Sequence, residues 1–477
     1  MGQHWTPDFS ARKLQDGYFL AHEFGEWAYL TDAQYADLSS GQCAPELYQE
    51  LADKGLIDTP DNSGQRQKAR ERWVSLTSGN NSQLVIVHLT QRCNLTCGYC
   101  HSSAIPVTAT GRDLNRERAE RAVEFISQIP KTRITLAFQG GEPALELELI
   151  DYICSALLAD PRNDGKTLRF GITTNGTIQT PAFLNLLRRY EINTTISFDG
   201  PKAVHDTHRT YPDGKGSYDE AIKFRDTLRK EVSTNTAGAI MVLTQETLPN
   251  LDEIIDQYLE FGQFNLRLKP VTKLGRAKKG WNDSSLDFDE FWGAYKHVHN
   301  RLIQRYRDTG KITVEHSVFN FVQKLLERRN IGDVDSRNPC GIIDGVINLD
   351  VDGKVHACHE GKRKKDFLLG TTEDGFEAVT TSAKADQIRQ MTDLSRISAC
   401  QRCAYRAYCT PCPAHNHQSF GDGDMRPFES WECQMTLAIG DLVLSDFETN
   451  SDYYVNAWRE WKMQLNVRDA LAETVTG

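Results

Sequence analysis

Cys93, Cys97 and Cys100 share one short segment, Cys93-Asn-Leu-Thr-Cys97-Gly-Tyr-Cys100. Three thiolates so spaced can hold three irons of a cubane and leave the fourth iron open to a small chelating molecule. A fourth cysteine would close the site. Zinc asks for a fourth protein ligand, and His101 is the candidate beside the loop. A second group lies far downstream: Cys340, Cys358, Cys400, Cys403, Cys409, Cys412 and Cys433. Paired C-x2-C motifs are a zinc-ribbon sign. Here, however, five residues separate the pairs, fewer than zinc-knuckle spacing, and seven thiols overfill one zinc site. Cys43 and Cys154 stand alone.

Ligand loops are fixed by the elements on either side of them. The apolar run Leu84–Leu89 reads as a strand that leads straight into the first cysteine loop. Further strand candidates are Ile134–Phe138, Leu168–Thr173, Asn193–Phe198, Thr236–Leu243 and Asn265–Lys269. Helical stretches such as Arg116–Gln128, Glu146–Leu158 and Pro181–Tyr190 alternate with them, which predicts βαβ units and a parallel sheet. Six repeats fit an α/β fold, a partial (β/α)6 TIM-like barrel with its site at the carboxyl ends of the strands.

Ahead of the barrel, residues 10–58 form a small module. Tyr18–Leu20 and Trp27–Leu30 read as strands about a turn at Gly25, Thr31 caps a helix over Asp32–Leu38, and Pro45–Leu51 begins a helix stopped by Gly55. A polar stretch from Thr59 to Gln83, with Pro60, Gly64, Gly79, Asn80 and Asn81, carries one charged helix, Gln65–Trp73. Residues 283–330 read as mostly helical and 340–433 as loop-rich, with a last helix after Gln434. The expected division is 1–62, a linker at 63–83, a barrel at 84–282, a helical bridge at 283–339, a cysteine-rich domain at 340–440 and a terminal helix at 441–477.

The chain has 477 residues and a net charge of −10, with 39% hydrophobic and 25% charged residues. That balance argues against a nucleic-acid or membrane-surface binder, which would carry a basic face. The basic run Lys362–Lys365 reads as solvated surface. No run approaches the roughly 20 apolar residues of a membrane helix, and Met1 to Gln15 lack the apolar core of a signal peptide. The expected location is therefore the cytoplasm, where twelve clustered cysteines point to metal rather than to disulfides.

The cysteine loop is followed in order by further matching segments. Gln139-Gly140-Gly141-Glu142-Pro143 ends the second strand, Thr173-Thr174-Asn175 the third, and Ser197, Asp199 and Arg209 follow the fourth. Together, over residues 84 to about 275, they resemble the radical S-adenosylmethionine superfamily. The resemblance implies that the open iron binds the amino and carboxylate groups of the cofactor's methionine part. One electron then yields a 5′-deoxyadenosyl radical that abstracts a substrate hydrogen, so the enzyme is expected to be oxygen-sensitive. It also implies backbone close to the ligand at Gly140 and Gly141, and Glu142 on the methionine ammonium. Thr174, Asn175 and Ser197 fall among the cofactor contacts, with Arg209 on the methionine carboxylate and Tyr99 and Leu243 near adenine. Each has a plain reading too: Gly140-Gly141, Asn175-Gly176 and Asp199-Gly200-Pro201 pass as ordinary turns.

Gly353-x4-Cys358 and the run Cys400-x2-Cys403-x5-Cys409 are similar to the SPASM extension, which holds two auxiliary [4Fe–4S] clusters, three clusters in all with the first. The resemblance places Cys400, Cys403, Cys409 and Cys433 on one cluster and Cys340, Cys358 and Cys412 on the other. Two departures matter. Cys409 and Cys412 are separated by two residues where the family commonly has three, and Val346 stands where some members have a further cysteine. The second set then lacks a fourth thiolate, and solvent, substrate, His359 or Asp344 is left to complete it. The candidate catalytic groups are His359, Glu360 and Asp199. His359 suits proton transfer near neutrality, or else hydrogen-bonds a cluster sulfur.

The module at 10–58 resembles the winged-helix peptide recognition element, which grips a leader peptide as an added strand; a structural cap on the barrel is the plainer reading. Glu26-Trp-Ala-Tyr-Leu-Thr31, Tyr99-Cys-His-Ser-Ser103 and Phe138-Gln-Gly-Gly-Glu-Pro143 resemble the His-Xaa-Ser system radical maturases. The expectation is an enzyme that cross-links a precursor peptide through a C–C, C–O or thioether bond, fed electrons by a flavodoxin or ferredoxin. Its rivals are a radical dehydrogenase of the sulfatase-maturing kind and a non-enzymatic, peptide-binding metal scaffold.

Overall fold

The computed structural model of the protein describes residues 6–59, 62, 64–78, 81–232, 238–262, 264–272, 275–278, 284–421 and 426–475. Pro60, Gly79, Asn80, Thr236 and Ala237, used in the sequence reading, lie outside them. The chain divides into two compact units, one of residues 1–80, 302–341 and 391–477 and the other of residues 81–301 and 342–390.

In the first unit, strands β1 (Ser10–Leu14), β2 (Gly17–Ala21) and β3 (Trp27–Leu30) form an antiparallel sheet in that order. Ala11 stands opposite Leu20, and Phe19 opposite Tyr29. The sequence reading has β2 and β3 but not β1, whose residues Ser-Ala-Arg-Lys-Leu alternate too weakly to announce a strand. Thr31 caps the helix Asp32–Ser39 in a capping box with Gln34. The helix Pro45–Asp53 begins with Pro at its first turn. Leu20, Leu30, Leu38, Leu51, Leu56 and Ile57 close a small core between sheet and helices. The opposite sheet face presents Phe19, fully buried, to Tyr405 and Tyr408, with ring centroids at 5.5 and 6.0 Å. In the same unit stand helices His316–Glu327, Trp431–Asp446 and Ser451–Val475. The single last helix of the sequence reading is thus two.

The second unit is built on a sheet of nine strands among its described residues. In chain order these are β4 (Ser82–Thr90), β5 (Arg133–Gly140), β6 (Thr167–Thr174), β7 (Asn193–Ser197), β8 (Gly238–Leu243), β9 (Asn265–Pro270), β10 (Val346–Leu349), β11 (Lys354–His356) and β12 (Leu368–Thr371). Their order across the sheet is β9-β8-β7-β6-β5-β4-β10-β11-β12. β4 to β9 pair in parallel, each with the next, as the βαβ rhythm requires. Ile134, Leu136 and Phe138 alternate along β5 as fully buried core. Helices such as Arg116–Ser127, capped by Asn115, and Pro181–Arg189, capped by Thr180, supply the crossovers.

Beyond the six-strand set, β10 adds in parallel to β4, and β11 and β12 follow antiparallel. The sequence reading places this stretch in a loop-rich region. These strands are three or four residues long, and β10's partner stands far back in the chain, so no local pattern marks them. No helix among the described residues is long and apolar enough to cross a membrane.

Candidate active site and cysteine clusters

Because β4 to β7 run in parallel, their carboxyl ends lie on one side of the sheet, and the matching segments all start there. Cys93 follows β4 directly. Its thiol accepts the Leu95 amide at 3.3 Å, and the Cys100 thiol accepts the Ala104 amide at 3.4 Å. Leu95, nearly fully buried, anchors the loop between the first two cysteines. Burial pushes the Cys93 thiol up to about 12 and the Cys97 thiol up to about 11. Free thiols there stay protonated at neutral pH, and a bound metal would supply the charge that makes them thiolates. Among the described residues no three His, Cys, Asp or Glu side chains meet at a point one metal ion could fill. A cubane offers separate corner irons, so it does not ask its thiolates to meet at one point.

One clamp on this loop has no counterpart in the sequence reading. Arg276 donates its Nη1 to the Cys97 carbonyl at 3.1 Å, its Nη2 to the Ala104 carbonyl, and its amide to the Cys100 carbonyl at 3.0 Å. Gly275 beside it has φ +62, and a Cβ there would stand 2.2 Å from the Cys100 oxygen. The glycine lets two backbones touch. A Gly-Arg pair after the sixth strand was the available signal.

The Gly140-Gly141 pair serves the same loop. The Gly141 amide donates to the Thr90 carbonyl and the Glu142 amide to the Arg92 carbonyl, each at 2.8 Å. A Cβ on Gly141 would lie 2.0 Å from the Arg92 oxygen. The close approach expected toward a ligand is therefore, in this structure, an approach to the backbone that opens the cysteine loop. Glu142 is 1% exposed and accepts from Thr174 Oγ1 at 2.6 Å, the Asn175 amide at 2.8 Å and the Ala144 amide at 3.1 Å. Burial raises its carboxyl and these three donors pull it back. A carboxylate has about four acceptor sites, so one remains for a further donor. Asn175 donates Nδ2 to Asn94 Oδ1 at 2.8 Å and toward Cys93 Sγ at 3.7 Å, while its Oδ1 accepts from Thr177. The side chains of Thr174 and Asn175, expected among the cofactor contacts, are thus held by protein partners that tie the ends of β5 and β6 to the cysteine loop.

Tyr99, Asp199 and Arg209 form one buried group. Arg209 donates Nε and Nη2 to the two Asp199 oxygens at 2.6 and 3.2 Å, Tyr99 donates its hydroxyl to the same carboxylate, and the guanidinium lies 5.3 Å from the Tyr99 ring centre. Burial alone would raise the Asp199 carboxyl; the Arg209 charge outweighs it and holds it below 3.8. Asp199, expected among the catalytic groups, has both oxygens engaged with the two residues expected on the cofactor. That is the arrangement of a positioning group. His205 and Ser217 extend it, with Nε2 to Oγ at 3.1 Å and Oγ to the Arg209 carbonyl at 2.7 Å. Ser197 ends β7, half-buried, and Leu243 ends β8, fully buried.

His359 and Glu360 meet the cysteine loop from β11's far end. The His359 ring stacks between His101 (centroids 5.0 Å apart) and His88 (5.4 Å). Glu360 Oε2 pairs with His101 Nε2 at 2.8 Å. Lys362 is 8% exposed, so the solvated run expected at Lys362–Lys365 does not hold for its first member. Its Nζ donates to His359 Nε2 at 3.1 Å and Ser102 Oγ at 3.2 Å, beside His101 Nδ1 at 3.4 Å. Burial and the Lys362 charge push His359 well below its usual range, and burial brings Lys362 down to about 7. His359 is neutral at physiological pH, with its ring proton on Nδ1 while Nε2 accepts from Lys362, so Nε2 takes a proton once Lys362 is neutral or turned aside. Asp344, considered as an iron ligand, is instead gripped by Arg389 through Nε and Nη2 at 3.0 and 2.8 Å.

In the first unit, Cys400, Cys403, Cys409 and Cys433 act on one another. Cys409 feels the other three, and Cys433 feels Cys403 and Cys400. Burial raises all four thiols. Arg12 faces Cys403 and Cys433, and Arg406 faces Cys400 and Cys403. Four thiols, one buried and three partly buried, with cations around them fit a cluster that carries negative charge. Cys340 and Cys412 belong to the same unit, and Cys358, whose thiol accepts the Gly361 amide at 3.3 Å, to the other.

The profile of the radical SAM superfamily matches residues 87–258. The serine-type anaerobic sulfatase-maturating enzyme of Klebsiella aerogenes is 25% identical over 327 residues, 68% of this chain and 77% of that protein. Among solved structures, anSMEcpe with bound AdoMet aligns with TM-score 0.65 at 17% identity, covering 79% of this chain and 99% of its own. SuiB of Streptococcus suis bound to precursor peptide SuiA gives 0.53 at 14% identity, over 90% and 100%. At such identities the structural likeness speaks for the fold.

Proposed function

This chain carries a radical SAM domain, and from that premise we propose that it modifies a ribosomally made precursor peptide by hydrogen abstraction and intramolecular cross-linking. The observation that carries the reading is the pair of distinct thiol sets. Cys93, Cys97 and Cys100 lie in a braced loop at the strand ends, and four mutually facing thiols lie in the other unit. With iron–sulfur cluster and S-adenosylmethionine bound at the loop, they supply a 5′-deoxyadenosyl radical. Glu142 keeps one acceptor site for the cofactor's ammonium. Arg209, aligned by Asp199, offers its remaining donors to a carboxylate. His359, neutral beside Lys362, takes a substrate proton. Peptide as substrate is supported by the likeness to SuiB, a structure that holds a precursor peptide, and by β3, an edge strand among the described residues, beside which a leader can add as a strand. We assign three [4Fe–4S] clusters, one on the Cys93 loop and two auxiliary, and a flavodoxin or ferredoxin as electron donor.

Dehydrogenation of a protein side chain is the second reading, favoured by the sulfatase-maturating relative. The two separate on the product. Anaerobic reaction with a candidate precursor, followed by mass spectrometry, is expected to show loss of a hydrogen pair in a product that ignores carbonyl reagents. A hydrazine-reactive product means the alcohol or thiol carbon was oxidised to an aldehyde, and defeats cross-linking.

A further inference from the structure

Lys324 lies on the helix His316–Glu327 and is 1% exposed. Its Nζ donates to the carbonyl oxygen of Tyr408 at 3.2 Å, the residue just before Cys409. Among the described residues no carboxylate stands within ion-pair distance of it; Asp333 acts from further away, next to His316 at 3.4 Å. The other two cations facing these thiols are already paired, Arg12 with Asp441 and Arg406 with Glu23. A buried ammonium answered by a neutral carbonyl is costly unless a negative charge lies nearby. Cys409 is that neighbour: burial drives Lys324 down to about 7, and Cys409, then Asp333, pull against it.

We propose that Lys324 is the built-in counter-charge of a cluster held by Cys400, Cys403, Cys409 and Cys433, and that it raises the reduction potential of that cluster. The inference rests on reading those four cysteines as cluster ligands. Four thiolates around a [4Fe–4S] core carry net negative charge and reduction adds one more. A cation fixed in a dry interior therefore favours the reduced form more than the oxidised one. Charge and solvent exposure are among the levers that set such potentials, and this chain applies a charge with no carboxylate within ion-pair distance among the described residues.

The test is an EPR-monitored redox titration of the full-length, reconstituted protein, in a Cys93→Ala, Cys97→Ala, Cys100→Ala background that leaves the auxiliary signals. The signal lost in Cys403→Ala identifies this cluster. Lys324→Met and Lys324→Gln are expected to move its midpoint negative by at least tenfold in the one-electron equilibrium, about 59 mV, and Lys324→Arg to leave it in place. If the neutral variants instead lose this cluster's iron while far-UV circular dichroism is unchanged, and Lys324→Arg keeps it, the charge is needed to hold the cluster and the proposal stands. An unmoved midpoint with iron intact overturns it, as does loss of iron in all three variants, which makes the requirement one of shape. Absence of any Cys403-dependent signal defeats the cluster reading beneath it.

Discussion

At the scale of single residues, the account turns on which side chains carry charge in a dry place. Asp199 and Arg209 are such a pair, and removing one partner of a buried pair costs about 3–5 kcal/mol. Asp199→Asn is expected to lower unfolding free energy by about 3 kcal/mol in urea titrations at pH 7. The folded Asp199 carboxyl lies below its unfolded value of 3.8. Its contribution is therefore present above about pH 4 and is lost as pH falls through the depressed value. The wild type and Asp199→Asn should converge in acid. His359 gives a second expectation: His359→Gln lowers peptide modification by about 100-fold while 5′-deoxyadenosine still forms, read by chromatography of both products. A parallel fall in both would place His359 in cofactor chemistry instead. The strand-end positions of Glu142 and Asp199 were legible in the sequence because each follows a strand at a recognisable turn. Their partners were not: that Asp199 takes Arg209 and Tyr99 depends on Arg209 returning over the helix Lys202–His208, a path no local pattern reports.

At the scale of elements, the cysteine loop is held by backbone on both flanks. Gly141 packs on Arg92, and Gly275 with Arg276 packs on Cys97 and Cys100. A methyl group at Gly141 meets a carbonyl that cannot swing away, so Gly141→Ala is expected to displace the start of the loop. Arg276→Ala removes the two side-chain donations to the Cys97 and Ala104 carbonyls and leaves the amide donation to the Cys100 carbonyl. Both should reduce iron retained by the first cluster, measured as iron per chain in a background where the auxiliary cysteines are replaced by alanine. Full iron in both would show that the loop holds its shape unaided. The parallel strands were readable from their apolar runs, as was the Thr31-capped helix from its capping residues. β1 and β10 were not, since the first is half polar and the second is four residues long with a partner over 250 residues away in sequence.

At the scale of the whole molecule, the cysteine inventory sets the cofactor load. Three clusters predict about 12 irons per chain with equal sulfide; a value near four, with the four-thiol site filled by zinc, would leave a single-cluster enzyme. The amino-terminal sheet belongs to the same unit as that site, tied to it by Arg12–Asp441 and by Phe19 against Tyr405 and Tyr408. Truncation of residues 1–58 is therefore expected to lower iron content by one cluster as well as weaken peptide binding, compared by iron analysis and by titration with the precursor. The most direct measurement is anaerobic incubation of the iron-replete protein with S-adenosylmethionine and dithionite. The account predicts 5′-deoxyadenosine from the wild type and none from Cys97→Ala; no product from a wild type with intact clusters, or equal product from the variant, would contradict it.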